Sequence, residues 1–184
     1  MKLLLSLVVA LCLSASAAFA ADTADLENTL YLDLKDGRVV IKLRPDLAPK
    51  HVARVKELTR QGFYNGLKFH RVIEGFMAQT GDPDGNGTGG SGQKINSEFS
   101  DAHFGRGTVG AARSNDPHSA DSQFFICFAD AGFLDGQYTV WGEVISGMEH
   151  VDKIARGEPP SNPDTIVKLQ VAADAEKTAT EEKK

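Results

Sequence analysis

Cysteine is almost absent: the 184 residues hold two, Cys12 and Cys127. Cys12 lies in an N-terminal segment that carries the marks of removal, which leaves Cys127 alone. A lone cysteine excludes an intrachain disulfide, so stability has to come from core packing. Cys127 sits in Phe124-Phe125-Ile126-Cys127-Phe128 and reads as a small buried hydrophobe; no Cys/His signature marks it as a nucleophile. The five histidines, at 51, 70, 103, 118 and 150, show no metal-ligand spacing. There is no Gly-x-Ser-x-Gly elbow, and the many carboxylates form no recognisable catalytic pair. The usual parts of a hydrolase or a redox enzyme are therefore missing, and no cofactor or metal is implied. Positive charge is also in deficit, with 20 Lys+Arg against 25 Asp+Glu. That balance disfavours nucleic acid and anionic membrane as partners. The single tryptophan, Trp141 in Val140-Trp141-Gly142, reads as core.

Long apolar runs are confined to the first twenty residues. Lys2 supplies a positive start, Leu3 to Leu13 is apolar except for Ser6, and Ala18-Phe19-Ala20 is a small-x-small cleavage site. Together they read as a secretory signal peptide cleaved after Ala20. The run is shorter than the roughly 20 residues a membrane-spanning helix needs. Removing residues 1–20 takes away one cation, Lys2, and no anion, which moves the formal net charge from −5 to −6. The expected organisation is a signal peptide over 1–20, one domain over 21–172, and a charged, low-complexity tail over 173–184 that should be disordered. No membrane contact is expected after the signal is removed. No coiled-coil pattern or large apolar stripe is apparent, which favours a monomer.

Within the domain the pattern is of short strands separated by turns. Leu30 to Leu34 and Arg38 to Leu43 flank Asp36-Gly37, a hairpin signal in which both central residues take positive φ. Pro49 opens a helix whose Val52, Val55 and Leu58 make one apolar face, with Gly62 placed to stop it. Lys50, Arg54, Lys56 and Arg60 read as its solvated face. Strands are expected over Leu67–Ile73, Thr108–Ala112, Gln123–Phe128, Tyr138–Val144 and Ile166–Val171, and a short helix over Gly147–Ala155. Gly81 to Gly92 holds six glycines, but its spacing fits neither a P-loop nor a dinucleotide fingerprint, so it reads as a structural loop. Many short strands with two helices suggest a closed or nearly closed β-barrel.

Two longer blocks carry the chemistry. The first is Phe69-His70-Arg71-Val72-Ile73-Glu74-Gly75-Phe76-Met77-Ala78-Gln79-Thr80-Gly81-Asp82. The second is Ser122-Gln123-Phe124-Phe125-Ile126, followed by Phe133-Leu134-Asp135-Gly136. Both resemble the cyclophilin family of peptidyl-prolyl isomerases, and the likeness runs from about Thr29 to Val171. Gly147-Met148 and the helix after it fit as well. The resemblance implies a mainly β fold: an eight-stranded antiparallel closed β-barrel capped by two α-helices, with the substrate groove on its outside. By position Arg71 resembles the family's catalytic arginine. Phe76, Met77, Phe125 and Leu134 resemble the walls of its proline pocket. Gln79, Gln123, Ala112 and the backbone of Arg113 resemble its substrate-positioning groups, with Gln79 able to orient Arg71. Taken singly, each has an ordinary reading: Arg71 as a surface arginine, the apolar four as core, His70 as structural. The ordered set is what points to a site.

The implied activity is rotation of X–Pro peptide bonds during the folding of exported proteins, and the implied partners are proline-containing polypeptides, unfolded or nascent. The other class of reading is a chaperone or peptide-binding module with incidental isomerase activity. Two positions depart from the common family pattern. Phe133 stands where many members have tryptophan, and Tyr138 where many have histidine. Phenylalanine lacks the indole N–H donor, so at most weak binding of the cyclic peptide cyclosporin is expected. The loop Arg113 to Ala120 is similar in style to bacterial members and, with the signal peptide, suggests a periplasmic location.

Overall fold

The computed structural model of the chain describes residues 25–181. The expected signal peptide, residues 1–20, lies outside the described residues. Eight strands form one antiparallel sheet: β1 (Thr29–Leu34), β2 (Gly37–Leu43), β3 (Arg71–Ile73), β4 (Met77–Thr80), β5 (Thr108–Ala111), β6 (Phe124–Cys127), β7 (Val140–Ser146) and β8 (Lys168–Val171). Their spatial order is β3-β4-β6-β5-β7-β2-β1-β8. Register shifts at Val40/Ile41 and Val109/Gly110 put irregularities in the ladders to β7, and such bulges bend a strand and increase its twist. β4 follows directly on the Glu74-Gly75 turn and was not separable from its neighbours by pattern alone.

The expectation of a closed barrel is corrected: the sheet is an open half-barrel whose edges, β3 and β8, do not pair with each other. Coil from the 152–167 stretch spans the gap. Val72 and Gly157 exchange two backbone hydrogen bonds, at 2.8 and 2.9 Å, and Phe69 N–H donates to the Asp164 carbonyl at 2.9 Å. Pro159, Pro160 and Pro163 in this stretch have no N–H to donate, so it cannot form a ladder strand.

Three helices are described beyond a short helical turn at 25–27: α1 (Pro49–Arg60), α2 (Met148–Val151) and α3 (Ala172–Glu181). None is long and apolar enough to cross a membrane among the described residues. The apolar face of α1 is as expected, with Val52, Val55 and Leu58 buried against the core. Its charged face is not uniformly solvated. The Arg54 side chain is 12% exposed and donates to Glu57 and to Ser91 Oγ in the glycine-rich loop. α2 is a single turn, shorter than the Gly147–Ala155 expectation. The segment expected to be a disordered tail is helical as far as residue 181, with α3 continuing directly from β8. Ala172 is fully buried, and Asp174 accepts from Arg60 Nε at 2.9 Å. Alanine, glutamate and lysine are strong helix formers, and the anchor at its first turn ties the segment to α1. The β1–β2 hairpin forms, but Leu34 pairs with Gly37 and the turn residues are Lys35 and Asp36, with no non-glycine residue at positive φ among those described.

The helix α1 lacks a cap of its own. Ala48 precedes it and offers no side-chain acceptor. Glu98 supplies one from a distant loop: its carboxylate accepts the N–H groups of Lys50 and His51, each at 3.0 Å, and the His51 ring Nδ1–H at 2.7 Å. Burial by itself raises the Glu98 pKa, but these hydrogen bonds outweigh it and hold the carboxyl below its usual range. Burial lowers the pKa of His51 against the opposing pull of Glu98, which favours the neutral ring. A carboxyl whose pKa is depressed on folding contributes stability above its unfolded value and loses it as pH falls through the folded one. Glu98→Ala should therefore lower unfolding free energy by about 1–2 kcal/mol at neutral pH, measured by urea denaturation, and the difference from wild type should shrink as pH falls below the carboxylate range.

Candidate active site

Three registers set the site. Arg71 on β3 pairs with Gln79 on β4, Gln79 with Phe125 on β6, and Phe125 with Gly110 on β5. Strand alternation then divides the sheet. Val72, Ala78, Phe124 and Ile126 enter the main core with Leu30, Leu32, Ile41 and Trp141, while Met77, Phe125 and Cys127 form a second cluster with Phe104, Ala131, Leu134 and Val140. β6 is buried on both faces for this reason. Trp141 is core, as expected, with its ring edge-on to Phe124 at 5.4 Å. Cys127 is fully buried and burial pushes its thiol pKa up to about 12, which fits the inert reading. Gly110 matters by having no side chain: a Cβ there would meet the rings of Phe125 and Phe104 at 2.6 Å. Its absence makes room for the Phe125 ring, which stacks on that of Phe104 with centroids 5.8 Å apart.

On this second face, ten of the eleven residues expected at the site line one open cleft of about 260 Å³: Arg71, Phe76, Met77, Gln79, Ala112, Arg113, Phe125, Phe133, Leu134 and Tyr138. Met77, Phe125 and Leu134 are almost wholly buried and make the floor. Phe133 is 65% exposed at the rim and stacks obliquely on Phe76, with ring centroids 5.3 Å apart. Tyr138 stands edge-on to Phe125 at 6.0 Å, and the Arg113 guanidinium lies 4.3 Å over the Tyr138 ring. Arg113 also donates to the Gln137 and Ser114 carbonyls, which folds its side chain over that wall. The eleventh residue, Gln123, sits behind Gln79 and lines a neighbouring cleft with Lys94, Asp121 and the glycine-rich loop.

A chain of polar contacts runs along the cleft. Arg71 Nη1 points at Gln79 Oε1 at 3.5 Å, Gln79 Nε2 donates to Gln123 Oε1 at 2.9 Å, and Gln123 Nε2 donates to the carbonyls of Gly87 and Gly89 at 3.1 and 2.8 Å. The glycine-rich loop therefore anchors the glutamine pair. It does not read as a phosphate cradle, because protein carboxylates, one in the loop and one from outside it, take up several of its donors. Asp82 accepts from Asp84, Asn86 and Gly87, and Asp121 from Ser91 and Gly92. Gly81 lets this loop leave β4: its φ is +86°, and a Cβ would meet the Gln123 Cα at 2.9 Å. His70 is buried beneath the loop rather than in the cleft, which fits a structural role.

Two features were not read from the sequence. The first is Glu158, whose carboxylate lies 2.7 Å from Arg71 Nε; it is 87 residues away in sequence and sits in a proline-rich coil with no motif to mark it. The second is a clamp on the 3₁₀ turn Gly132–Leu134 that carries Phe133 and Leu134. His103 bridges Asp135 at 2.8 Å and Asp130 at 2.7 Å across that turn, and these carboxylates raise its pKa. Asp135 also accepts from the Phe104 N–H at 2.8 Å, tying the turn to the second core cluster.

Residues 29–171 match the family model described as cyclophilin type peptidyl-prolyl cis-trans isomerase/CLD. A protein of Brucella suis named probable peptidyl-prolyl cis-trans isomerase is 55% identical over 179 residues, covering 88% of this chain and 91% of its own. A peptidyl-prolyl cis-trans isomerase of Helicobacter pylori is 42% identical over 142 residues, with 73% and 85% covered. Among solved structures, a cyclophilin from Hirschia baltica superposes with a TM-score of 0.76 at 29% identity, covering 82% of this chain and 76% of its own. A cyclophilin type peptidyl-prolyl cis-trans isomerase of Cryptosporidium parvum, crystallised in the presence of the dipeptide Ala-Pro, superposes with a TM-score of 0.72 at 26% identity over 78% of this chain and 98% of its own.

Proposed function

The chain belongs to the cyclophilin-type peptidyl-prolyl cis-trans isomerase family, and from that premise we propose that the Arg71 cleft is where it turns X–Pro bonds, with Arg71 stabilising the twisted amide. The observation that carries this reading is the cation at the edge of an apolar floor, with Arg71, Phe76, Met77 and Phe125 lining one cleft.

Amide resonance sets a rotation barrier of about 18–20 kcal/mol, and uncatalysed X–Pro exchange takes on the order of tens to hundreds of seconds. No bond has to break. When the amide twists out of plane, the proline nitrogen regains its lone pair and becomes an acceptor. A guanidinium carries its charge throughout the working pH range and presents donors in a rigid plane. Aimed at that nitrogen, it meets an acceptor that exists only in the twisted state, and so lowers the barrier without tightening the ground state. The floor of Met77, Phe125 and Leu134 holds the proline ring still while the preceding carbonyl swings, and Gln79 and the backbone at Ala112 and Arg113 hold the moving chain. Shortening exchange from about 100 s to about 1 ms takes roughly 7 kcal/mol of differential stabilisation, which several such contacts can supply together. The substrates are proline-containing segments of unfolded polypeptides; the Cryptosporidium relative's structure with Ala-Pro supports that class.

The setting follows from the first twenty residues. Lys2, the apolar run and Ala18-Phe19-Ala20 support export with cleavage after Ala20, which in a bacterium means folding of periplasmic chains. Intact mass of protein recovered from the producing cell should correspond to a chain beginning at Ala21; a chain that retains residues 1–20 argues against export.

Arg71→Ala should reduce isomerase turnover of an X–Pro peptide by roughly 10²–10³-fold, the scale of removing one transition-state donor, with the fold intact by circular dichroism. Unchanged turnover would favour the peptide-binding reading instead. Phe133→Trp places an indole N–H at the rim and should tighten cyclosporin binding roughly fivefold, since a hydrogen bond is worth about 1 kcal/mol and 1.4 kcal/mol is tenfold; calorimetric titration of both proteins measures it, and equal affinities would show that the rim donor is immaterial.

A further inference from the structure

The contact that most firmly fixes Arg71 comes from outside the expected set. Glu158 Oε2 is 2.7 Å from Arg71 Nε, whereas Gln79 Oε1 is 3.5 Å from Nη1. We propose that Glu158 is a positioning residue, holding the Arg71 guanidinium in the plane it needs to meet the twisted amide; this rests on the reading of Arg71 given above.

The backbone just before Glu158 is pinned to β3. Gly157 exchanges two hydrogen bonds with Val72, the residue next to Arg71 on β3. Gly157 has φ +145°, and a Cβ there would meet the Pro160 backbone at 2.5 Å, so this turn is specific to glycine. The coil that covers the open edge of β3 therefore delivers a carboxylate to the base of the Arg71 side chain. Arg156, the cation two residues before Glu158, is committed elsewhere, with Nε on Glu74 at 2.8 Å and Nη1 on the Asp152 carbonyl at 2.8 Å. It does not compete for Glu158.

The geometry of the pair determines what it does. An arginine offers five N–H donors in one plane. Glu158 takes the Nε–H, the donor nearest the chain, and Gln79 faces Nη1. Among the described residues no hydrogen bond is formed by the remaining Nη hydrogens, which leaves them for a substrate, and the Nε bond restrains rotation of the guanidinium plane about its stem. With the pair made, Arg71 is among the residues lining the apolar cleft. Both side chains are about half exposed, 42% for Arg71 and 52% for Glu158, and an exposed pair of this kind adds little to folding stability. Its consequence is orientation of a long, flexible side chain, which shows in turnover rather than in unfolding.

Four proteins test this: Glu158→Ala, Glu158→Gln, Arg71→Ala and the Arg71→Ala/Glu158→Ala double variant. Glu158→Ala should keep the wild-type urea midpoint and the KM for an X–Pro peptide, while kcat falls roughly three- to fivefold, the scale of one exposed ion pair. Glu158→Gln keeps an acceptor oxygen at the same reach and should recover most of the loss. The Nε–H resonance of Arg71 in ¹⁵N NMR should be protected from water exchange in wild type and in Glu158→Gln, and lose that protection in Glu158→Ala. In the Arg71→Ala background, Glu158→Ala should cost nothing more. Unchanged or raised kcat in Glu158→Ala beside an impaired Arg71→Ala overturns the positioning role and leaves the Arg71 reading standing. Full turnover in Arg71→Ala overturns both. Should Glu158→Ala fail to fold, the wild-type resonance decides: exchange as fast as that of an unpaired arginine overturns the proposal.

Discussion

A guanidinium set at the edge of an apolar floor is the arrangement on which the cleft depends, and strand register creates it. β3, β4, β6 and β5 place Arg71, Gln79, Phe125 and Gly110 in one cross-sheet row. Slipping any one of these pairings by a residue would turn that strand's side chains to the opposite face. Arg71 would then point into the main core, where an unpaired charge is costly, and Phe125 would leave the cleft. The register is therefore held by the burial of Val72, Ala78, Phe124 and Ile126 on the inner face, and the outer face is positioned as a consequence. The chemistry of the site is in this sense specified by hydrophobic residues that never touch a substrate.

The open edge of the sheet is the second constraint. An unpaired edge strand is a template for unwanted pairing, and β3 is short and covered by a coil that cannot itself extend the sheet because of its prolines. The same coil brings a carboxylate to Arg71. On the opposite side of the cleft, the His103 bridge holds the turn bearing Phe133 and Leu134, while the glycine-rich loop holds Gln123 and through it Gln79. Three peripheral segments thus converge on one rigid sheet, and each is tied down by carboxylates: Asp130 and Asp135 at the turn, Asp82 and Asp121 at the loop, Asp164 at the coil, where it accepts from the Ala155 N–H at 2.8 Å. Several of the many acidic residues that matched no catalytic pair have structural work as loop anchors.

Much of this was legible in the sequence, for identifiable reasons. The hairpin, the amphipathic helix from Pro49 and the buried strands at 108–112 and 123–128 announced themselves by period and turn chemistry. The site residues were legible only as an ordered set, because an arginine, two glutamines and four apolar side chains have ordinary readings one at a time. The sheet's failure to close was not legible from strand counting; its cause, the prolines at 159, 160 and 163, was in plain view but outside any strand. Arg54 reads as surface by its place on the helix wheel, and is covered only because a loop more than thirty residues later folds across it. Glu158 was invisible for the same reason: nothing local distinguishes a carboxylate that will be carried to a distant guanidinium. The charge of the tail suggested disorder, whereas the part described, to residue 181, is a helix of strong helix formers with Ala172 buried and Asp174 on Arg60.

The central claim is that Arg71 acts on the twisted amide and not merely on the bound peptide. Exchange NMR on an Ala-Pro peptide at saturating enzyme separates the two, since it reports affinity and on-enzyme cis–trans exchange independently. Comparing wild type with Arg71→Lys keeps the positive charge and removes the planar fork. The account predicts similar affinity for both proteins and on-enzyme exchange at least tenfold slower in the lysine variant, about 1.4 kcal/mol of lost transition-state stabilisation. Equal exchange rates, or a loss confined to affinity, would contradict it.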